Sequence, residues 1–310
     1  MYSSLLQLII NIMKVFNFFY SRLLSSSTKH KSETVIVSVA IISFVLHLFI
    51  IALVHFNCVH LKDHSNLLSN PVAAIYTPFS FILIYEVYLL VYYLPRSTSI
   101  YIGKQYEIIT LIVIRRVFKD LSKLEFTEDW FKVNNDLHFT YDLFATIILF
   151  YLIFIFYKLN GQRGKQEIII QNSEAIVSFI KMKNIIAMCL IPIFLILATY
   201  SLSRWIFENF FSITQLVDTI RDVNKIFFDD FFTVLILIDV LLLLFSFFHT
   251  DKFSKVIRNS GFIISTILMK LSFGAEGLLN TIFIVVAVLF GVMILAIHNQ
   301  YEKNDLENKT

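Results

Sequence analysis

Residues Ile226 to Phe248 read IFFDDFFTVLILIDVLLLLFSFF, an apolar run broken near its centre by one acid, Asp239. A helix rises 1.5 Å per residue, so roughly 20 residues cross the ~30 Å hydrocarbon layer of a bilayer. Five further runs have comparable length: Thr34 to Phe56, Val72 to Leu94, Leu137 to Tyr157, Ile185 to Ile206 and Leu278 to Ile297. Hydrophobic residues make up 57% of the chain and charged residues 16%, against about 45–50% and 25% in soluble domains. A soluble class is thereby excluded. The expectation is an all-α, polytopic integral membrane protein with six long transmembrane helices.

Two shorter segments, Ile100 to Leu121 and Val256 to Phe273, are apolar in the middle but bounded by Lys104 with Arg115 and by Arg258 with Lys270. Each satisfies three placements: crossing with its basic side chains snorkelling or facing the bundle interior, re-entering, or lying at the interface. The span count is therefore 6 to 8.

These segments also suggest an internal repeat. IITLIVIR at Ile108 to Arg115 aligns without gaps on IISTILMK at Ile263 to Lys270, and Tyr85-Glu86-Val87 aligns on Ile238-Asp239-Val240 at nearly the same offset. Each half then runs long span, span with a central carboxylate, short basic-flanked segment, long span. The implied organisation is an interfacial helix and linker (1–32), a first membrane repeat (33–159), a linker (160–182), a second repeat (183–298) and a polar tail (299–310). If the short segments cross, the repeats are parallel; if they do not, each half has three crossings and the repeats are inverted. Many transporter folds pair such repeats around a midplane site.

The first residues, Leu5 to Leu24, place Gln7, Asn11, Lys14, Asn17, Ser21 and Arg22 among apolar residues at helical spacing, as an amphipathic interfacial helix does. Sixteen of the 26 Lys and Arg fall on the side that receives both termini, whether neither or both short segments cross. The positive-inside rule then puts both termini in the cytoplasm.

Chemistry inside the spans must come from their few polar side chains. Glu86 and Asp239 lie near the centres of their runs, and a lone charge there costs at least about 2.5–3.5 kcal/mol, so basic partners are expected. Arg115, Arg116 or Lys104 suits Glu86, and Lys270 or Arg258 suits Asp239. His47 adds a titratable group to the first run, and Tyr85 and Tyr88 beside Glu86 supply hydroxyls to a polar cavity. Pro78 and Pro192 are expected to kink their helices. Cys58 and Cys189 show neither disulfide nor zinc spacing and are expected to be buried free thiols. No nucleophile–base signature, phosphate loop, metal motif or potassium-filter sequence is present, so no enzyme activity, cofactor or metal is expected. The resulting expectation is a channel-like or transporter-like protein passing a small ion or proton between two repeats. The alternative is a non-catalytic membrane subunit or scaffold that recruits a partner through interfacial helices. Expected partners are the lipid bilayer, the small ion or proton, and a second copy or a membrane-complex subunit; nothing points to nucleic acid.

Overall fold

The computed structural model describes residues 22–56, 74–121, 134–161, 174–210, 223–248, 252–275 and 277–307. Those residues are 94% helical and contain no strand. The helices are α1 (Ser26–His55), α2 (Tyr76–Tyr93), α3 (Thr98–Leu121), α4 (Asn134–Gly161), α5 (Glu174–Phe210), α6 (Val223–Phe247), α7 (Phe253–Leu271) and α8 (Leu278–Glu307). Six of these, α1 and α4 to α8, are long and apolar enough to cross a membrane. The protein is an integral membrane protein by that measure.

The six are not quite the expected six. The run Val72 to Leu94 forms the shorter helix α2, while the basic-flanked Val256 to Phe273 qualifies as part of Phe253–Gly274. At 24 residues α3 is also long enough, but Lys104, Glu107, Arg115, Arg116 and Asp120 leave it too charged to count among them. The amphipathic stretch before Arg22, Cys58 and the linker around 162–173 lie outside the described residues.

Two compact units divide the chain, and the division does not follow the two sequence halves. One comprises Met1–Pro95 with Asn184–Pro192, the other Arg96–Lys183 with Ile193–Thr310. In the first, Ser25 caps α1 by accepting from the Thr28 amide at 3.0 Å. Helix α1 therefore starts before the apolar run and continues through it. It packs antiparallel on α2: Lys29 Nζ donates to Tyr93 at 2.9 Å, Tyr85 to Glu33 at 3.2 Å, and His47 meets Thr77. Pro78 sits in the first turn of α2, where a missing N–H interrupts no helical bond, so it starts the helix rather than kinking it. Pro192 does lie inside α5. Cys189 on that helix is free as expected but exposed rather than buried, because much of the outward face of α5 is apolar.

The second unit is a bundle of α3, α4, α6, α7 and α8 with the two end portions of α5, 174–183 and 193–210. Helix α7 shows why it belongs in lipid. Its buried face carries Arg258, Asn259, Ser265, Thr266 and Lys270, while Phe253, Ile257, Ile264, Leu268 and Leu271 face outward. The outward face is apolar while the inward face mixes these polar groups with Phe262, Ile263 and Met269, which suits a bilayer, where polar groups find partners only inside the protein.

Side-chain contacts set the directions. Helices α7 and α8 are antiparallel, with Ser265 donating to the Ala287 carbonyl at 2.6 Å and Arg258 beside His298. They are joined through a 3₁₀ turn (Ser272–Gly274) and Gly277, whose φ of 62° suits glycine. Helices α3 and α4 are antiparallel through Glu107–Tyr157 and Arg116–Asp142. Helices α4 and α8 run parallel through Asp142–Thr281 and Leu159–Asn299. It follows that α3 and α7 point the same way.

Small residues permit these approaches, as is usual between membrane helices. A Cβ on Gly261 would sit 2.7 Å from Ile294, and one on Gly291 would collide with the Tyr106 hydroxyl. That hydroxyl is fully buried and 2.7 Å from Ser265 Oγ, so it has nowhere to retreat. Gly291→Ala should accordingly lower stability by about 1–3 kcal/mol through overpacking, read as a shift in thermal unfolding of the detergent-solubilised protein. Unchanged stability would mean that α3 and α8 do not approach here.

Candidate functional site

Asp239 is a fully enclosed charge in the second unit, at 0% exposure. Three helices converge on it. From α7, Lys270 Nζ lies 2.5 Å from Oδ2 and Thr266 donates to the same oxygen at 3.1 Å. From α3, Tyr101 donates to Oδ1 at 3.1 Å and the Gln105 amide reaches both oxygens at 3.4 Å. The local reason is periodicity: 101 with 105 and 266 with 270 are one helical turn apart, so each pair presents two polar side chains to one point.

Lys270 is itself 3% exposed, which makes this a desolvated ion pair. Removing such a pair from water costs several kcal/mol per ion, and only good geometry with extra hydrogen bonds offsets it. Both conditions hold, since Asp239 accepts from four side chains.

Beside the pair is a cavity of about 20 Å³, bordered by Thr98, Tyr101, Phe179, Lys183, Ser246 and Asn259 among others. That is the volume of about one water, in walls that are almost wholly apolar and include Leu242, Leu243 and Ile263. Tyr101 belongs both to the wall of the cavity and to the shell of Asp239. Lys183, buried in the same wall, donates to the Arg96 carbonyl at 3.0 Å and lies 5.0 Å above the Phe179 ring.

Of the sequence-stated candidates, Asp239 and Lys270 come together as expected. Arg258 does not share that site: it is twelve residues from Lys270 on one helix, about 18 Å along the axis. Its guanidinium bonds Asn259 Oδ1 through Nε (3.2 Å) and Nη2 (3.1 Å) and lies 3.4 Å from His298 Nε2. Arg116 forms a separate cluster, with Asp142 at 3.1 Å and Asn280 at 2.5 Å, and Thr281 donates to Asp142 at 2.7 Å. Arg115 is buried on the same helix.

Glu86 is buried on α2 in the first unit, at 3% exposure. The tyrosines beside it serve the α1–α2 contact: Tyr85 bonds Glu33, Tyr88 donates to the Leu23 carbonyl at 2.8 Å, and the rings of Tyr85, Tyr88 and Tyr92 stack along the helix. Through this register Glu86 lies level with the polar beginning of α1, while His47 is level with Thr77 at the start of α2.

Sequence reading missed Tyr101, Gln105, Thr266 and Lys183. A signal existed for the first three, because Tyr101/Gln105 and Thr266/Lys270 are turn-spaced polar pairs. Lys183 stood at the first residue of the second repeat, beside the linker, and gave none. Among the described residues no group of three or more His, Cys, Asp or Glu is placed to hold a metal.

Comparisons with protein-family models, curated proteins and solved structures find no match.

The pair predicts a distinctive stability pattern. Lys270→Met strands a buried carboxylate and should cost about 3–5 kcal/mol, whereas Lys270→Met combined with Asp239→Asn removes both charges and should recover most of that loss. Chemical or thermal unfolding in detergent measures it. Equal losses in the single and double variants would show that the two charges do not interact.

Proposed function

We propose that this integral membrane protein carries protons or small cations, with Asp239 and Lys270 as the exchange site, and that it is not an enzyme. The observation that supports this reading is the acid–base pair itself, buried at the meeting of three helices, with Tyr101 bonding Asp239 and also lining a water-sized cavity. A well-packed apolar trio would serve folding as well or better, so stability gives little reason to keep charges there. Intramembrane ionisable groups in such positions mark ion and proton routes. Lys270 neutralises Asp239 when the carboxylate is empty, and a proton or cation arriving at Asp239 displaces that partner.

Directions within the second unit favour parallel over inverted repeats, because the α3–α4 and α7–α8 hairpins run the same way. The duplication belongs to the proposal, with Glu86 as the counterpart of Asp239 in the first half. A second reading is a non-conducting membrane subunit, favoured by the fact that both oxygens of Asp239 are already bonded, as in a static tie.

Flux separates the two. Purified protein in vesicles carrying an internal pH dye should dissipate an imposed proton or cation gradient. The Asp239→Asn, Lys270→Met double variant, which keeps the fold, should lose that flux at least tenfold. Wild type without flux, or a double variant as active as wild type, would overturn the transport reading in favour of the subunit.

Orientation belongs to the same proposal. When α3 and α7 both cross, the basic-rich side is the one where α8 ends, near Arg96, Lys104, Lys158, Lys252, Lys255 and Lys303, and it faces the cytoplasm. Reporter fusions at Met1 and Thr310 should both read the cytoplasmic side; opposite readings would require an odd number of crossings.

A further inference from the structure

The polar interior does not stop at the cavity. On the wall away from Asp239, Asn259 lies 3.5 Å from Ser246 and accepts from Arg258, Arg258 lies 3.4 Å from His298 Nε2, and that same nitrogen is 3.1 Å from Glu302. Exposure rises along this line from 3% at His298 to a Glu302 side chain 30% exposed. Buried polar contacts thus run from a surface carboxylate to the cavity lined by Tyr101, which bonds Asp239.

One feature of the line is chemically unusual. A single imidazole nitrogen has two neighbours with opposite demands. Arg258 is always a donor, so its hydrogen bond needs a lone pair on Nε2. Glu302, when ionised, is only an acceptor, so its bond needs a hydrogen there. Nε2 cannot satisfy both at once, and the proton on His298 decides which partner it keeps.

We propose that His298 and Glu302 form the proton-accepting port of the Asp239 site, gated by Arg258; this rests on the transport reading above. Glu302 takes a proton from water and passes it to the Nε2 lone pair. The resulting N–H points back to the Glu302 carboxylate. Arg258 keeps all its protons throughout, loses the Nε2 lone pair as one of its acceptors and now faces a like charge. Because Arg258 also grips Asn259, its departure moves one wall of the cavity and lets water reach Tyr101.

The groups around the imidazole permit this assignment. Helix α7 contributes Arg258 and the neutral Asn259, and α8 contributes Glu302. Helix α4 offers the Leu159 carbonyl, taken by Asn299, with Lys158 exposed at that end. Lys255 stands one turn before Arg258 on α7, and the exposed Lys303 follows Glu302 on α8. Histidine titrates in the range where such a port has to act.

Two measurements on the full-length protein test it. In vesicles with defined internal and external pH, flux through wild type should rise as the pH on the α8-terminal side falls through the His298 titration. Glu302→Gln should move that midpoint down by about one pH unit, through loss of the opposite charge, and His298→Gln should flatten the profile. Separately, ¹⁵N NMR of histidine-labelled protein should show His298 gaining its proton between about pH 5 and 8, with the Nε2 resonance moving from an accepting to a donating environment and shifting in Glu302→Gln. A His298→Gln profile identical to wild type, or a His298 whose spectrum does not change with pH, overturns the port. Absence of all flux in wild type defeats the transport reading instead, and the NMR titration then decides alone whether His298 exchanges partners.

Discussion

Everything in the second unit is arranged so that one carboxylate is never alone. Asp239 lies within the otherwise apolar stretch from Val234 to Phe245, and in hydrocarbon its charge has to be met by protein. Lys270 and Thr266 meet it from α7, Tyr101 and Gln105 from α3. Four donors from two helices specify where α3, α6 and α7 touch and at which residue along each. Apolar packing in lipid does not specify this, because lipid tails are as apolar as the side chains they would replace.

The same logic operates at other levels of the bundle. Tyr106 and Ser265 join α3 to α7, and Ser265 then reaches the α8 backbone. Toward the other end Arg116, Asp142, Asn280 and Thr281 tie α3, α4 and α8 together. Each tie is directional, so between them they hold two hairpins in one relative orientation. Gly291 contributes by absence: without a Cβ, it lets the Tyr106 hydroxyl come close enough to make its bond. Polar groups supply specificity here, and small residues supply the approach.

In the first unit tyrosine takes the role that charge plays in the second. Tyr85, Tyr88 and Tyr93 reach Glu33, the Leu23 carbonyl and Lys29, all toward the beginning of α1. Amphipathic rings of this kind suit a level where one end is apolar and the other meets water. They serve the helix pair and explain why tyrosine is dense along one side of α2.

The sequence by itself determined the class of protein, its helical content and the identity of the charge to watch. Length and apolar composition suffice for that, because a bilayer imposes a fixed thickness and penalises every unpaired backbone group. It also called for a basic counter-charge to Asp239, Lys270 or Arg258, since an isolated acid in lipid demands one. Tertiary structure decided which of two basic residues on α7 it is, the direction of Arg258 toward His298, the grouping of Arg116 with Asp142, and the entry of Tyr101 and Gln105 into the site. Those outcomes depend on which helix neighbours which and at what register. In an apolar chain the hydrophobic pattern is nearly uniform around each helix, so it carries little record of either; only the packed bundle selects the face that turns inward.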